Sequence, residues 1–128
     1  MRIEHVAFQV AQPGEMGDWY VEHLGFTIKR AVESPVPTRF IADRTGKIML
    51  EIYNNPKVQP PDYSKMDPLL FHVAFVCDDL PETVQRLIDA GAIQHAPKET
   101  TPAGDNLIFL RDPWGVPIQL CQRAKPMV

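Results

Sequence analysis

His5-Val6-Ala7-Phe8 recurs as His72-Val73-Ala74-Phe75, and what surrounds the two copies corresponds as well. Each is followed by a helix-like segment that stops at a glycine, Leu24-Gly25 in the first half and Ala90-Gly91 in the second. Each then runs into a hairpin, in which Phe40-Ile41-Ala42-Asp43-Arg44-Thr45-Gly46 answers Phe109-Leu110-Arg111-Asp112-Pro113-Trp114-Gly115, and closes on an apolar strand. Self-similarity on this scale means one supersecondary unit written twice.

Side-chain period gives the content of a unit. Ile3 to Val10 places Val6, Phe8 and Val10 on one face and His5, Ala7 and Gln9 on the other, the period-2 pattern of a half-buried strand. Asp79-Leu80-Pro81-Glu82 reads as a helix start, with Asp79 as N-cap and Pro81 in the first turn; Val84, Leu87 and Ile88 form its stripe and Gly91 ends it. In the first half Trp19, Tyr20 and Leu24 supply the stripe and Gly25 the stop. Three strands follow in each half, near 26–32, 38–43 and 48–53, then near 93–96, 107–111 and 116–122. The expected fold is α+β: two βαβββ modules, 1–54 and 69–128, forming a curved mixed sheet (half-barrel) with helices on its outer face. The proline-rich segment 55–68 is expected to be a surface linker within a single domain.

Composition bounds the function. The chain has 128 residues, 45% of them apolar, and a formal net charge of −3. That is enough for a hydrophobic core without disulfides, and two cysteines would make a poor staple. No basic run marks a nucleic-acid footprint. The apolar stretch Leu69 to Cys77 is far shorter than the roughly 20 residues a membrane span needs. Met1-Arg2 leads straight into Ile3-Glu4-His5 with no apolar leader segment, so a cytoplasmic protein with reduced thiols is expected. Gly-rich phosphate loops, Gly-x-Ser-x-Gly and Cys-x-x-Cys do not occur, which removes nucleotide hydrolases, serine esterases and zinc ribbons.

Alternation then picks out candidate chemistry. In the last strand of the first half Leu50 and Ile52 take the helix face, leaving Met49, Glu51 and Tyr53 with the histidine face. In the second half Ile118 and Leu120 do the same, leaving Pro117, Gln119 and Cys121. His5, Glu51, His72 and Gln119 therefore stand at the same register of equivalent strands. A carboxylate buried there unpaired would cost several kcal/mol, which a divalent cation offsets. Two imidazoles, one carboxylate and one amide suit Zn²⁺, Ni²⁺, Co²⁺, Fe²⁺ or Mn²⁺ without choosing among them. Glu51 is the one carboxylate expected on that face and so the candidate base, while Arg39 and Tyr53 are candidates to orient an anionic substrate.

Two such modules, with His in the first strand and Asp112-Pro113-Trp114-Gly115-Val116-Pro117-Ile118-Gln119-Leu120 near the end, resemble the vicinal oxygen chelate superfamily of glyoxalase I, methylmalonyl-CoA epimerase, extradiol dioxygenases and bleomycin-binding proteins. The resemblance covers nearly the whole chain and implies that His5, Glu51, His72 and Gln119 hold one divalent metal ion per site. Gln119 departs from the Glu that most metal-dependent members carry. The activity so implied is that of a lyase or isomerase moving a proton next to a carbonyl through a metal-stabilised enolate, on a small-molecule substrate, in a homodimer. The alternatives are a non-haem iron ring-cleaving dioxygenase, whose carboxylate ligand would fall at Gln119, and a metal-free drug- or metabolite-binding protein.

Overall fold

The computed structural model describes residues 1–127, and the chain divides into two units, Met1–Pro61 and a second beginning at Asp62. The first consists of β1 (His5–Gln9), α1 (Pro13–Leu24), β2 (Thr27–Val32), β3 (Thr38–Ala42) and β4 (Met49–Tyr53). Its sheet runs β1-β4-β3-β2, with β1 parallel to β4 and the other pairs antiparallel. The parallel pair requires a crossover, which α1, β2 and β3 supply. Gly25 ends α1 in the left-handed region at φ 70°, where a side chain would be strained.

Phe8, Val10, Ile41, Leu50 and Ile52 are buried together with Met16, Trp19 and Tyr20 of α1. Each fully buried large side chain contributes about 1.5–3 kcal/mol. The helix stripe lies further toward the N-terminus than its pattern suggests: Met16 and Gly17 are buried while Leu24 is only half-buried. Gly17 explains this. A Cβ there would sit 3.1 Å from Cγ of Arg39, so the missing side chain is what lets the Arg39 stem pass beneath the helix.

The second unit opens with one turn of 3-10 helix, Tyr63–Lys65, followed by β5 (Val73–Val76), α2 (Leu80–Asp89), β6 (Ile93–Gln94), β7 (Glu99–Thr100), β8 (Asn106–Arg111) and β9 (Pro117–Gln122). Its sheet runs β5-β9-β8-β6, with β7 also on β8 and β5 parallel to β9. The βαβββ plan holds, except that the strand expected near 93–96 is two short pieces. Pro97 lacks the N–H a ladder needs, so pairing with β8 stops and resumes at Glu99. The Asp79 carboxylate accepts from the Glu82 N–H at 2.9 Å, the expected cap of α2.

Hydrogen bonds hold the segment expected to be a surface linker at both of its ends. The Gln9 side chain donates to the carbonyls of Asn55 and Val58 and accepts from the Asn55 N–H. The Arg111 guanidinium donates to the Tyr63 carbonyl at 2.7 Å and the Met66 carbonyl at 2.8 Å, and the Tyr63 side chain is buried. Among the described residues no helix is long and apolar enough to cross a membrane.

Candidate metal and proton-transfer site

In the first unit the ladder fixes which side chains share a face. Glu51 lies opposite Ala7 on β1 and Phe40 on β3, and His5 lies opposite Met49. His5, Glu51, Phe40 and Tyr53 are thus on one face of the sheet, and His5 Nε2 comes within 3.2 Å of Glu51 Oε2. The Phe40 ring meets the His5 ring edge-on, centroids 5.8 Å apart at 86°. His5 Nδ1 donates to Glu4 Oε2 at 2.5 Å. An ionised carboxylate only accepts, so that contact puts a proton on Nδ1 and directs Nε2 toward Glu51.

With Nε2 deprotonated, its lone pair and the Glu51 oxygen 3.2 Å away need a cation between them; with Nε2 protonated, the two groups form an ion pair. Nitrogen and oxygen ligands bind a first-row divalent ion at about 2.0–2.2 Å, so neighbouring ligands at a bond angle near 100° are separated by about 3.2 Å. The donor set of the first unit therefore fits a divalent ion.

The second unit repeats the register with an amide in place of the carboxylate. Gln119 lies opposite Ala74 on β5 and Phe109 on β8, the positions that Ala7 and Phe40 occupy around Glu51. His72 stands two residues before Ala74, as His5 stands two before Ala7. Its ring meets Phe109 edge-on at 5.1 Å and 85°. Nδ1 donates to the Pro68 carbonyl at 2.7 Å, which again leaves Nε2 as the free donor atom. The Gln119 amide oxygen accepts from Cys121 Sγ at 3.4 Å. Burial pushes the Cys121 thiol above its ordinary range, which suits a packed thiol and not a nucleophile. Cys77 is raised for the same reason, burial, and bonds to Thr83 of α2.

His5 and Glu51 thus approach each other in the first unit, and in the second His72 meets Phe109, which lies opposite Gln119. No group of three or more His, Cys, Asp or Glu side chains gathers in metal-binding geometry among the described residues. Tyr53 shares the face of Glu51. Arg39 does not: it lies opposite Ile52, its stem packs against Gly17, and its guanidinium pairs with Glu33 at 2.7 Å. It also donates to the carbonyls of Val32 and Thr38, so its hydrogen bonding is committed to the fold. The expectation that Arg39 orients substrate does not fit this placement. The periodic pattern passed over Glu4 and the two phenylalanines. The repeat itself pairs Phe40 with Phe109 and is the signal that finds them.

The Glyoxalase/Bleomycin resistance protein/Dioxygenase superfamily profile matches residues 2–120. No curated protein matches the chain in sequence. Among solved structures, the chain is similar to a glyoxalase family protein from Bacillus cereus, with 19% identity over 95% of this chain and 93% of that one and a TM-score of 0.81. It is also similar to TnmS3, an antibiotic binding protein from a Streptomyces species, with 21% identity over 97% of each chain and a TM-score of 0.73. Glyoxalase I from Zea mays is 22% identical over 97% of this chain but only 45% of its own, with a TM-score of 0.73. With a family match across nearly its full length and two βαβββ units in its structure, the chain belongs to the glyoxalase/bleomycin resistance protein/dioxygenase superfamily.

Proposed function

We propose that the protein is a metal-dependent lyase or isomerase of the glyoxalase and epimerase kind, which moves a proton on a carbon next to a carbonyl of a small molecule. His5, Glu51, His72 and Gln119 are its proposed metal ligands, and it is proposed to work as a homodimer. The observation that supports this most is the approach of His5 Nε2 to Glu51 Oε2 with the His5 Nδ1 proton already engaged by Glu4. A divalent ion held by these residues, Zn²⁺, Ni²⁺, Co²⁺, Fe²⁺ or Mn²⁺, would supply a Lewis acid that polarises the substrate carbonyl.

Glu51 is the base in this reading, because its carboxylate accepts a proton and the amide at the equivalent position, Gln119, cannot. It takes the proton from the carbon next to the carbonyl and returns it to the same or the adjacent carbon. His5 holds its orientation through Glu4, Phe40 shields the pair from one side, and the Tyr53 hydroxyl is available to orient the substrate.

A second reading, capture of a small molecule without chemistry, is favoured by the Phe40 and Phe109 rings set against the two histidines. Elemental analysis of the purified protein, with His5→Ala and His72→Ala beside it, separates the two. One divalent ion per site, lost in both variants, is expected for the enzyme. Deuterium exchange from solvent into a hemithioacetal or acyl-CoA thioester should then stop in Glu51→Gln. Exchange that continues in a metal-loaded Glu51→Gln protein removes Glu51 as the base, and a protein that takes up none of the five metals leaves the binding reading.

A further inference from the structure

Strand β2 does not pair evenly with β3. Ile28 lies opposite Ile41 and Arg30 opposite Phe40, so Lys29 is an extra residue in the ladder. Such a bulge breaks strict alternation and re-aims side chains. Here Lys29 and Arg30 both line a cavity of about 230 Å³, with Glu4, Phe40 and Met49 as the other walls. These walls adjoin the pair described above: Phe40 lies opposite Glu51, Met49 lies opposite His5, and the Glu4 carboxylate bonds the His5 ring.

The two cations are uncommitted. Lysine and arginine ion pairs among the described residues are Arg39–Glu33, Lys65–Asp62 and Arg123–Asp105, and neither Lys29 nor Arg30 takes part. Arg30 Cζ lies 5.7 Å from the centroid of the Phe40 ring. A ring face steadies a guanidinium but leaves it free to donate its N–H fork to an oxyanion. Glu4 is the one acidic wall, and its charge is turned to His5, so the cavity presents a positive balance. Its volume is below the range of about 300–1,000 Å³ common for drug-sized ligands, which suits a short polar tail.

We propose that Lys29 and Arg30 form an oxyanion subsite. It receives the terminal carboxylate or phosphate of a substrate whose carbonyl end lies at His5 and Glu51. This rests on the proposed function for the carbonyl end but not for the tail. The substrate class is therefore a small carbonyl compound with an anionic terminus, and the cation that recognises it is Arg30, where the sequence pointed to Arg39.

The test compares hydroxamates, whose two adjacent oxygens mimic the reacting end. Butyrohydroxamate has a neutral tail, succinohydroxamate a carboxylate of similar length, and 3-phosphonopropionohydroxamate a phosphonate. Calorimetric titration into the Zn²⁺-loaded full-length protein at low salt should show a charged tail at least tenfold tighter than the neutral one. That preference should fall to threefold or less in Arg30→Gln, weaken in Lys29→Gln and recover in part in Arg30→Lys, with butyrohydroxamate affinity unchanged throughout. The tighter of the two charged tails identifies the oxyanion. In parallel, glutarate and inorganic phosphate are titrated into metal-free protein by amide NMR, where shifts at Lys29, Arg30 and Phe40 are expected and should vanish in Arg30→Gln. A charge preference that is absent, or that survives Arg30→Gln unchanged, overturns the subsite. Failure to bind zinc while the NMR shifts persist overturns the metal reading instead and supports the subsite.

Discussion

Replacing Glu4 by alanine should weaken divalent-metal binding about tenfold and leave the fold intact. The His5 Nδ1–Glu4 Oε2 contact, at 2.5 Å, is a charge-assisted hydrogen bond that holds the ring in the tautomer whose Nε2 can coordinate. Loss of an outer partner of this kind costs about 10–100-fold in metal affinity, or about 1.4–2.7 kcal/mol. The Glu4 side chain is 70% exposed, so water screens its charge and the lower end of that range applies. Glutamine at this position retains an acceptor oxygen and hence the tautomer but loses the charge, so Glu4→Gln should weaken binding only about threefold, roughly half the free energy. Because Glu4 makes few contacts, either substitution should move unfolding stability by less than about 0.5 kcal/mol. Competition against a chromophoric chelator at constant pH gives the affinities, and urea unfolding of the metal-free proteins gives the stabilities. Wild-type affinity in Glu4→Ala would refute the assignment of the His5 proton to Nδ1 by Glu4. Equal losses in both variants would show that charge and not the tautomer is what Glu4 supplies.

Two further outcomes follow from the packing. Gly115 sits at φ 81° and a Cβ there would lie 2.9 Å from the Ser64 backbone nitrogen, so Gly115→Ala should cost about 2–4 kcal/mol in urea unfolding. Gly46→Ala, at φ 65° with nothing nearer than the mobile end of Lys29 at 3.9 Å, should cost only about 1 kcal/mol, and equal losses at the two sites would contradict the close approach to Ser64. Burial raises both cysteine thiols, so folded protein should react with iodoacetamide only at higher pH than the urea-unfolded chain does. The same shifts make a stabilising contribution below the unfolded thiol's pKa that is lost as pH rises through the folded one. Fast labelling of Cys121 in the folded state at neutral pH would refute this.

The fold was legible wherever local chemistry decides it. Gly25 and Gly91 stop helices because they take positive φ, and Asp79 caps α2 because its carboxylate reaches the Glu82 N–H. Period-2 alternation likewise placed Glu51 with His5, and Gln119 at the equivalent register. What alternation cannot supply is the pairing partner. Arg39 and Phe40 are adjacent and must point to opposite faces, but only the β3–β4 register, Arg39 with Ile52 and Phe40 with Glu51, decides which of them meets the site. The bulge at Lys29 has no pattern of its own, since one extra residue looks like ordinary strand until its neighbour is known. The hydrogen bonds that hold the linker left no pattern for a related reason. Its anchors, Gln9 and Arg111, are polar side chains far away in sequence that bond backbone carbonyls, and such contacts leave no hydrophobic period.

The repeat makes the differences between the halves chemically informative. Where the first unit holds its histidine with the Glu4 carboxylate and sets Glu51 beside it, the second holds His72 with the Pro68 carbonyl and has Gln119 at the matching register. Both versions engage Nδ1 with an oxygen, and both set a phenylalanine edge-on to the ring, so neither the orientation of the imidazole nor its shielding requires the charge. The charge has to serve something else. A second carboxylate at Gln119 would bring further negative charge to a metal whose proposed task is to draw electron density from a carbonyl, and would offer the abstracted proton a second resting place. With an amide at Gln119 and Glu4 turned to the His5 ring, Glu51 is left as the group able to take the proton. Lys29 and Arg30 stand in that same unit, so the first unit holds the proposed base and the proposed oxyanion subsite together.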